Sequence, residues 1–235
     1  ALNNVVDKDI DSLMDRTAHR PLVTGMVSTR GAVALGISLS LLSVIWLETQ
    51  VNLLSALLAA GAIVFYVCIY TLLLKRRTSS NIVWGGAAGC FPVLIGWAAV
   101  TNSISLAPIV LFLIVFWWTP PHYWPLSMQF KDDYQNAGIP MLPVVADKNK
   151  VTSQILNYSV VMAATTFVLP FTINLTFFYW IGASILNALF IREAYALRNR
   201  AKNGSSDLLP MKLFNYSITY LALLFLIIGI DPLLN

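Results

Sequence analysis

Residues 53–77 read LLSALLAAGAIVFYVCIYTLLLKRR, an uncharged apolar run that ends in three basic residues. A helix needs roughly 20 apolar residues to cross the ~30 Å hydrocarbon core of a bilayer. Residues 53–73 meet that length without a single charge. The stretch therefore predicts a transmembrane helix, and its basic end marks one face of the membrane.

The rest of the chain has the same character. Of its residues, 57% are hydrophobic and 11% are charged, and the mean hydropathy is +0.71. This balance excludes an ordinary soluble domain. Together with the first stretch, six further segments give seven predicted spans, at about 31–47, 53–73, 81–100, 105–124, 153–172, 175–196 and 213–234. The sequence predicts an all-α polytopic transmembrane helix bundle that forms a single domain over residues 1–235.

The basic residues indicate how this bundle is oriented. If the seven spans alternate in direction, all fifteen Lys and Arg residues lie in, or at the helix edges of, one set of loops: 1–30, 74–80, 125–152 and 197–212. The positive-inside rule places these loops in the bacterial cytoplasm or the mitochondrial matrix. We therefore expect a bacterial inner membrane or, alternatively, the mitochondrial inner membrane. The net charge of +4 then reflects the orientation of the protein in the membrane and does not indicate a nucleic-acid partner.

The loop 1–30 contains an acidic motif with helical spacing. Asn3, Asp7 and Asp11 are each four residues apart, so on a helix they share a face, and the two carboxylates repel unless a cation lies between them. Carboxylate and amide oxygens suit Mg²⁺, which completes its coordination with water and substrate phosphate oxygens. Arg16 and Arg20, also four apart, can present two guanidinium groups to one phosphate.

The loop 125–152 carries a second acidic pair, Asp132 and Asp133. Alone, such a pair is typical of any solvated loop, and its significance comes from the first motif on the same predicted face. With the basic residues Lys75 and Arg76, the two loops indicate a Mg²⁺-bridged polyphosphate above an apolar chamber. An isoprenoid diphosphate fits both parts of such a site.

Several of these strings resemble one family. NNVVDKDIDSLMDRTAHRPL (3–22) resembles the first Asp-rich signature of the UbiA-type intramembrane prenyltransferases. The resemblance is closer to the haem O synthase branch of that family in LKRRTSSNIVWGGAAGCFPVLIGWAAVT (74–101), WWTPPHYWPL (117–126), FKDDYQNAGIPMLPVV (130–145) and LFNYSITYLALLFLIIGID (213–231). It covers essentially the whole chain. It implies nine transmembrane helices in the full family fold, with about seven complete here and helix 1 and most of helix 2 missing.

The resemblance implies a Mg²⁺-dependent transfer of farnesyl from farnesyl diphosphate to the 2-vinyl group of haem B, with addition of water, producing haem O for terminal oxidases. The expected partners are both substrates, the lipid bilayer, and haem A synthase or oxidase assembly factors. The family's first metal and diphosphate motif is matched by Asn3, Asp7 and Asp11, and its second by Asp132 or Asp133 with Tyr134. The positions that hold the diphosphate are matched by Arg16, Arg20, Lys75 and Arg76.

The corner at 117–124 holds one of the two histidines of the chain. Pro120 and Pro121 predict a helix break there that can open a pocket beside the second acidic loop. Haem iron commonly takes a His ligand. His122 lies beside the second acidic loop, so it is a better candidate than His19 for contact with the haem substrate.

The sequence is also compatible with two alternative functions, each of which predicts a feature that can be checked. A prenyltransferase for an aromatic quinone precursor is expected to have two Asp four apart in the second motif, whereas here Asp132 is followed by Asn136 and Asp133 by Ala137. A membrane transporter is expected to place ionisable residues near the membrane midplane, and the predicted spans have essentially none there.

Overall fold

The computed structural model describes residues 1–234, which contain helices and no β-strand. The α-helices are α1 (Leu2–Val6), α2 (Lys8–Asp11), α3 (Thr29–Gln50), α4 (Leu53–Val64), α5 (Asn81–Thr101), α6 (Leu106–Gln129), α7 (Lys131–Asn136), α8 (Leu142–Val145), α9 (Lys148–Thr166), α10 (Phe177–Lys202) and α11 (Pro210–Ile230). The α4 helix continues into a π-helical segment, Phe65–Leu74, and 3₁₀ turns occupy Leu169–Phe171 and Asp231–Leu234. The predicted all-α fold class is confirmed.

Within residues 1–234, six helical segments have the length and composition to cross a membrane, and they match six of the predicted spans. These segments are Thr29–Gln50, Leu53–Leu74, Asn81–Thr101, Leu106–Gln129, Lys148–Phe171 and Pro210–Leu234. The predicted span 175–196 also forms a helix, α10, but α10 extends through a charged C-terminal part that includes Arg192 and Arg200. Many large apolar side chains face outward, as lipid-facing surfaces require. The chain is an integral membrane protein.

Residues 1–104 and 130–145 form one compact unit. In it, α4 packs against both α3 and α5, and α1 packs on α3 and on the π-helical segment. The start of α4 is tied to the end of α5 by Asn52, whose Nδ2 donates to the carbonyl of Ala98 at 2.8 Å. Gly36 of α3 lets α1 approach closely, because a Cβ there would lie 2.7 Å from the side chain of Leu2. The acidic motif of α1 and α2 is thus held directly on the helices of this unit.

The π-helical segment is closed by bonds between residues five apart. Lys75 N donates to the carbonyl of Tyr70 at 2.8 Å, and Thr71 Oγ1 donates to the carbonyl of Tyr66 at 2.7 Å. The Tyr70 ring packs against α5 at Gly85, where an added Cβ would lie 2.7 Å from ring atom Cδ2. Lys75 follows directly after Leu74, the last residue of the π-helical segment. The packing of Tyr70 therefore helps to position the ammonium group of Lys75.

Residues 105–129 and 146–234 belong to a second compact unit. In it, α6 packs against α9 and α11, and α10 packs against the same two helices. Asp231 is fully buried and accepts hydrogen bonds from the backbone N–H groups of Thr176 at 2.8 Å and Tyr179 at 2.9 Å. This carboxylate therefore caps the first turn of α10, where helical N–H groups lack internal partners.

The predicted break at the double proline is wrong. The α6 helix continues through Pro120, Pro121 and Pro125 to Gln129. The missing N–H groups are tolerated because α6 is packed against α9 and α11, and neighbouring helices support proline-containing membrane helices. The expected loop 125–152 therefore begins after Gln129 and contains α7, α8 and the start of α9.

Candidate active site

The first acidic motif follows a helical path across a slight interruption. Asp7 separates α1 from α2, with φ −91° and ψ 4°. The spacing is kept, since Asp7 N donates to the carbonyl of Asn3 at 2.9 Å and Asp11 N donates to that of Asp7 at 2.8 Å. The expectation that Asn3, Asp7 and Asp11 follow helical spacing therefore holds for the backbone.

Asp7 is the most buried acid of this motif, with no solvent-exposed surface. Its Oδ2 forms a hydrogen-bonded ion pair with Lys75 Nζ. Its Oδ1 lies 3.9 Å from Arg76 Nη2 and is a buried atom without a hydrogen-bond partner within residues 1–234. A buried carboxylate oxygen normally finds a partner, so this oxygen suits a bound cation.

A second contact joins the first motif to the π-helical segment. It lies four residues before Asp7 in one and four residues before Lys75 in the other. Asn3 Nδ2 donates to Thr71 Oγ1 at 3.3 Å, and Thr71 is fully buried. Asn3 and Asp7 thus pair in register with Thr71 and Lys75. Sequence reasoning missed Thr71, although its spacing from Lys75 repeats that of Asn3 from Asp7.

Arg76, the residue after Lys75, also binds the segment that carries the first motif. Its guanidinium group grips Asp9 with two bonds of 2.7 and 2.6 Å and donates to the carbonyl of Val6 at 2.8 Å. These bonds hold the pKa of the Asp9 carboxyl below its usual value, and Asp9 in turn raises the pKa of Arg76. Arg76 therefore positions α2, a role that the sequence did not predict.

The two arginines of the first loop have different partners. Arg20 Nη1 pairs with Asp11 Oδ2 at 2.6 Å, whereas the Arg16 guanidinium lies 5.8 Å from the centre of the Phe130 ring. That both arginines bind one anion stays a prediction. The Arg16–Phe130 contact brings the first loop beside the segment that carries the second acidic pair.

The second motif is more open. Asp132 is exposed, Asp133 is half-buried and Tyr134 is buried. Within residues 1–234 neither carboxylate forms a side-chain hydrogen bond or an ion pair, so both remain available to a ligand. The described residues contain no group of three or more His, Cys, Asp or Glu side chains that could hold a metal ion. A metal at this site would thus depend on oxygens from its substrate and water.

His122 belongs to the second compact unit. Its ring is half-buried and lies between the rings of Trp118, at 4.1 Å, and Phe214, at 4.7 Å between centroids. Its Nδ1 lies 2.6 Å from Ser217 Oγ. The sequence indicated His122 alone, because nothing in its spacing pointed to partners on α11.

Comparison with known proteins gives consistent matches over almost the whole chain. Residues 1–218 match the profile of the UbiA prenyltransferase family. A protein named protoheme IX farnesyltransferase from Streptomyces avermitilis is 52% identical over 237 residues, covering 100% of this chain and 78% of the relative. The protein of the same name from Streptomyces coelicolor is also 52% identical, covering 100% of this chain and 75% of the relative.

Two solved structures share the fold. A digeranylgeranylglyceryl phosphate synthase superposes with a TM-score of 0.76 at 18% identity, covering 98% of this chain and 78% of that one. A UbiA homolog from Archaeoglobus fulgidus bound to GPP and Mg²⁺ gives a TM-score of 0.60 at 17% identity, covering 97% and 81% of the two chains. At such identities the likeness concerns the fold.

Proposed function

Because the chain belongs to the UbiA prenyltransferase family, we propose that it transfers farnesyl from farnesyl diphosphate to the 2-vinyl group of haem B, with addition of water, to make haem O. The protein is an intramembrane prenyltransferase. The observation that carries the choice of substrates is the 52% identity over the whole chain to proteins named protoheme IX farnesyltransferase. The second motif agrees, since it lacks the second pair of four-spaced Asp residues expected for quinone precursors.

The diphosphate head would bind at the first motif. Lys75 and Arg20 each hold a carboxylate of this motif, Asp7 and Asp11 respectively. A diphosphate arriving with its own cation can compete for both basic groups, because each is bound to a single acid. Arg16 stands beside Phe130 without an acidic partner in the described chain, so it is the arginine most available to a phosphate.

The residues present fit a Mg²⁺ ion. The buried, unpartnered Oδ1 of Asp7 is a hard oxygen donor, and Asn3, Asp11 and the pair Asp132 and Asp133 complete the proposed ligand set. Mg²⁺ typically uses one or two carboxylates together with substrate phosphate and water, which matches a site without a dense cluster of acids. When bound, the ion supplies neutralisation of the charge that develops on the departing diphosphate.

The allylic carbon–oxygen bond of farnesyl diphosphate breaks and its electron pair leaves with the diphosphate. The π electrons of the 2-vinyl group form the new bond to farnesyl C1. Water adds to the resulting cation beside the porphyrin ring and loses a proton. Lys75, Arg16 and Arg20 stabilise the leaving polyanion, which is where electrostatic assistance contributes most.

The loops that carry the motifs would face the cytoplasm of a bacterial inner membrane, since the basic residues concentrate there. Haem B is amphipathic and would be delivered from within or beside the bilayer. Its product would pass to haem A synthase or to oxidase assembly, the class of reactions that consumes farnesylated haem.

The experiment uses the full-length protein in detergent with haem B, farnesyl diphosphate and Mg²⁺, and follows the mass of the haem. We expect a gain of one farnesyl group and one water, which EDTA abolishes and excess Mg²⁺ restores. A parallel reaction contains an aromatic quinone precursor. Unchanged haem together with a farnesylated quinone precursor would reject the proposal and assign the protein to the quinone branch.

A further inference from the structure

The hydrogen bonds around His122 favour a proton on one of its two ring nitrogens. Ser217 Oγ donates its one proton to the carbonyl of Phe214 at 2.5 Å. With that proton used, the 2.6 Å contact between His122 Nδ1 and Ser217 Oγ is a hydrogen bond in the tautomer that carries its proton on Nδ1. In the neutral imidazole this leaves the lone pair on Nε2.

The ring is also fixed in orientation. Trp118 stacks on one side at an interplanar angle of 13° and Phe214 at 21°. Trp118 is anchored in turn, because its Nε1 donates to the carbonyl of Ser217 at 3.0 Å. Trp118, His122 and Ser217 thus lock α6 to α11 around a single histidine orientation.

The opposite edge of the ring is open. His122 Nε2 has no hydrogen bond in the described chain, and it is not among the buried side-chain atoms that lack a partner. Nε2 therefore keeps some accessible surface. The half-buried ring therefore presents an Nε2 lone pair that no hydrogen-bond donor within residues 1–234 satisfies.

These features are those of a metal-ligating histidine whose other nitrogen donates to an oriented oxygen. The substrate proposed above carries an iron atom that commonly takes an imidazole ligand. Resting on that proposed function, we infer that His122 Nε2 is the axial ligand of the haem iron during catalysis and that Ser217 is its positioning residue. The bond forms by donation of the Nε2 lone pair to iron, so no redox change or proton transfer is needed.

The test measures ligation separately from farnesyl transfer. Full-length protein in detergent is titrated with protohaem, and the Fe–N(His) stretching band of the ferrous complex is recorded by resonance Raman spectroscopy. We expect the band in the wild type and its loss in His122→Ala, with haem affinity roughly 10- to 100-fold weaker. Ser217→Ala should keep the band but shift it and weaken haem binding roughly tenfold, whereas Ser217→Thr should resemble the wild type.

The chain supplies a matched control, because His19 is its one other histidine and lies exposed in the first loop. His19→Ala should leave the band and the affinity unchanged. His122→Gly with added imidazole should restore the band, which separates ligand loss from misfolding. A band that survives in His122→Ala, or is absent from the wild type, overturns the inference.

Those outcomes are independent of the mass assay. Haem farnesylation without a His122-dependent band would retain the proposed function and reject the ligand. A His122-dependent band without farnesylation would retain the ligand and reject the function.

Discussion

The carboxylate of Asp7 is fully buried and forms an ion pair with Lys75, yet one of its two oxygens has no hydrogen-bond partner within residues 1–234. Sequence spacing alone had suggested that Asp7 and Asp11 need a cation between them. The structure gives each acid its own cationic side chain, Lys75 and Arg20. The first motif is therefore held in shape before any substrate arrives, and one buried Asp7 oxygen remains available to a cation.

Asp7→Asn should abolish turnover while leaving the helices intact. The amide keeps the shape of the side chain but removes the charge that would bind Mg²⁺, so kcat/KM for farnesyl diphosphate should fall at least about 100-fold. The mass assay for farnesylated haem measures this, and circular dichroism checks the helix content.

Asp15→Asn is the control for this change. Asp15 lies in the same loop and is exposed, so its amide variant should retain activity within about fivefold, as expected for a surface charge. Similar activity of the Asp7 and Asp15 variants would contradict the metal-site assignment.

Lys75→Met should destabilise the protein, because it leaves the buried Asp7 charge without its partner. Removing one member of a buried pair typically costs about 3 kcal/mol, so the thermal unfolding midpoint in detergent should fall clearly. Adding Asp7→Asn to Lys75→Met removes the stranded charge and should recover most of that stability. Neither Lys75→Met nor the double variant should be active.

The double variant separates packing from chemistry. If Lys75→Met alone is as stable as the wild type, the ion pair contributes little to folding and Lys75 acts only on the substrate. If the double variant is active, the pair is not part of the catalytic machinery.

The helices of this fold could be predicted from the sequence because long uncharged apolar segments have one stable conformation in a bilayer. The double proline was misjudged for a physical reason. Pro120 and Pro121 weaken an isolated helix, but packing against α9 and α11 decides the outcome in α6, and that packing is not visible in local sequence.

The candidate site was only partly predictable. Spacing identified Asn3, Asp7 and Asp11 because helical periodicity is local. The partner Thr71 depends on the π-helical register before Lys75, which adds one residue per turn and leaves no clear trace in composition. For the same reason Ser217 could not be assigned to His122, since the two lie on different helices and far apart in the chain.

Gly85→Ala should impair the enzyme through Tyr70. The new Cβ would overlap the Tyr70 ring, and overpacking of this kind typically costs about 1–3 kcal/mol. The displaced segment leads directly to Lys75, so kcat/KM for farnesyl diphosphate should fall along with thermal stability. The control is Gly89→Ala on the same helix, where nothing lies within 4 Å of an added Cβ, and it should be neutral or stabilising by up to about 1 kcal/mol. Equal behaviour of the two variants would mean that the Tyr70 contact does not position Lys75.

Asp133 should matter more than its neighbour Asp132. Asp133 is half-buried, whereas Asp132 is exposed, and a partly desolvated carboxylate interacts more strongly with a cation. We expect Asp133→Asn to lower kcat/KM roughly 100-fold and to raise the Mg²⁺ concentration needed for half-maximal activity. Asp132→Asn should lower kcat/KM no more than about fivefold, since an exposed charge contributes at most about 1 kcal/mol. Titrating Mg²⁺ in the mass assay with both variants decides between them, and a larger shift in the Asp132 variant would assign the metal ligand to that residue instead.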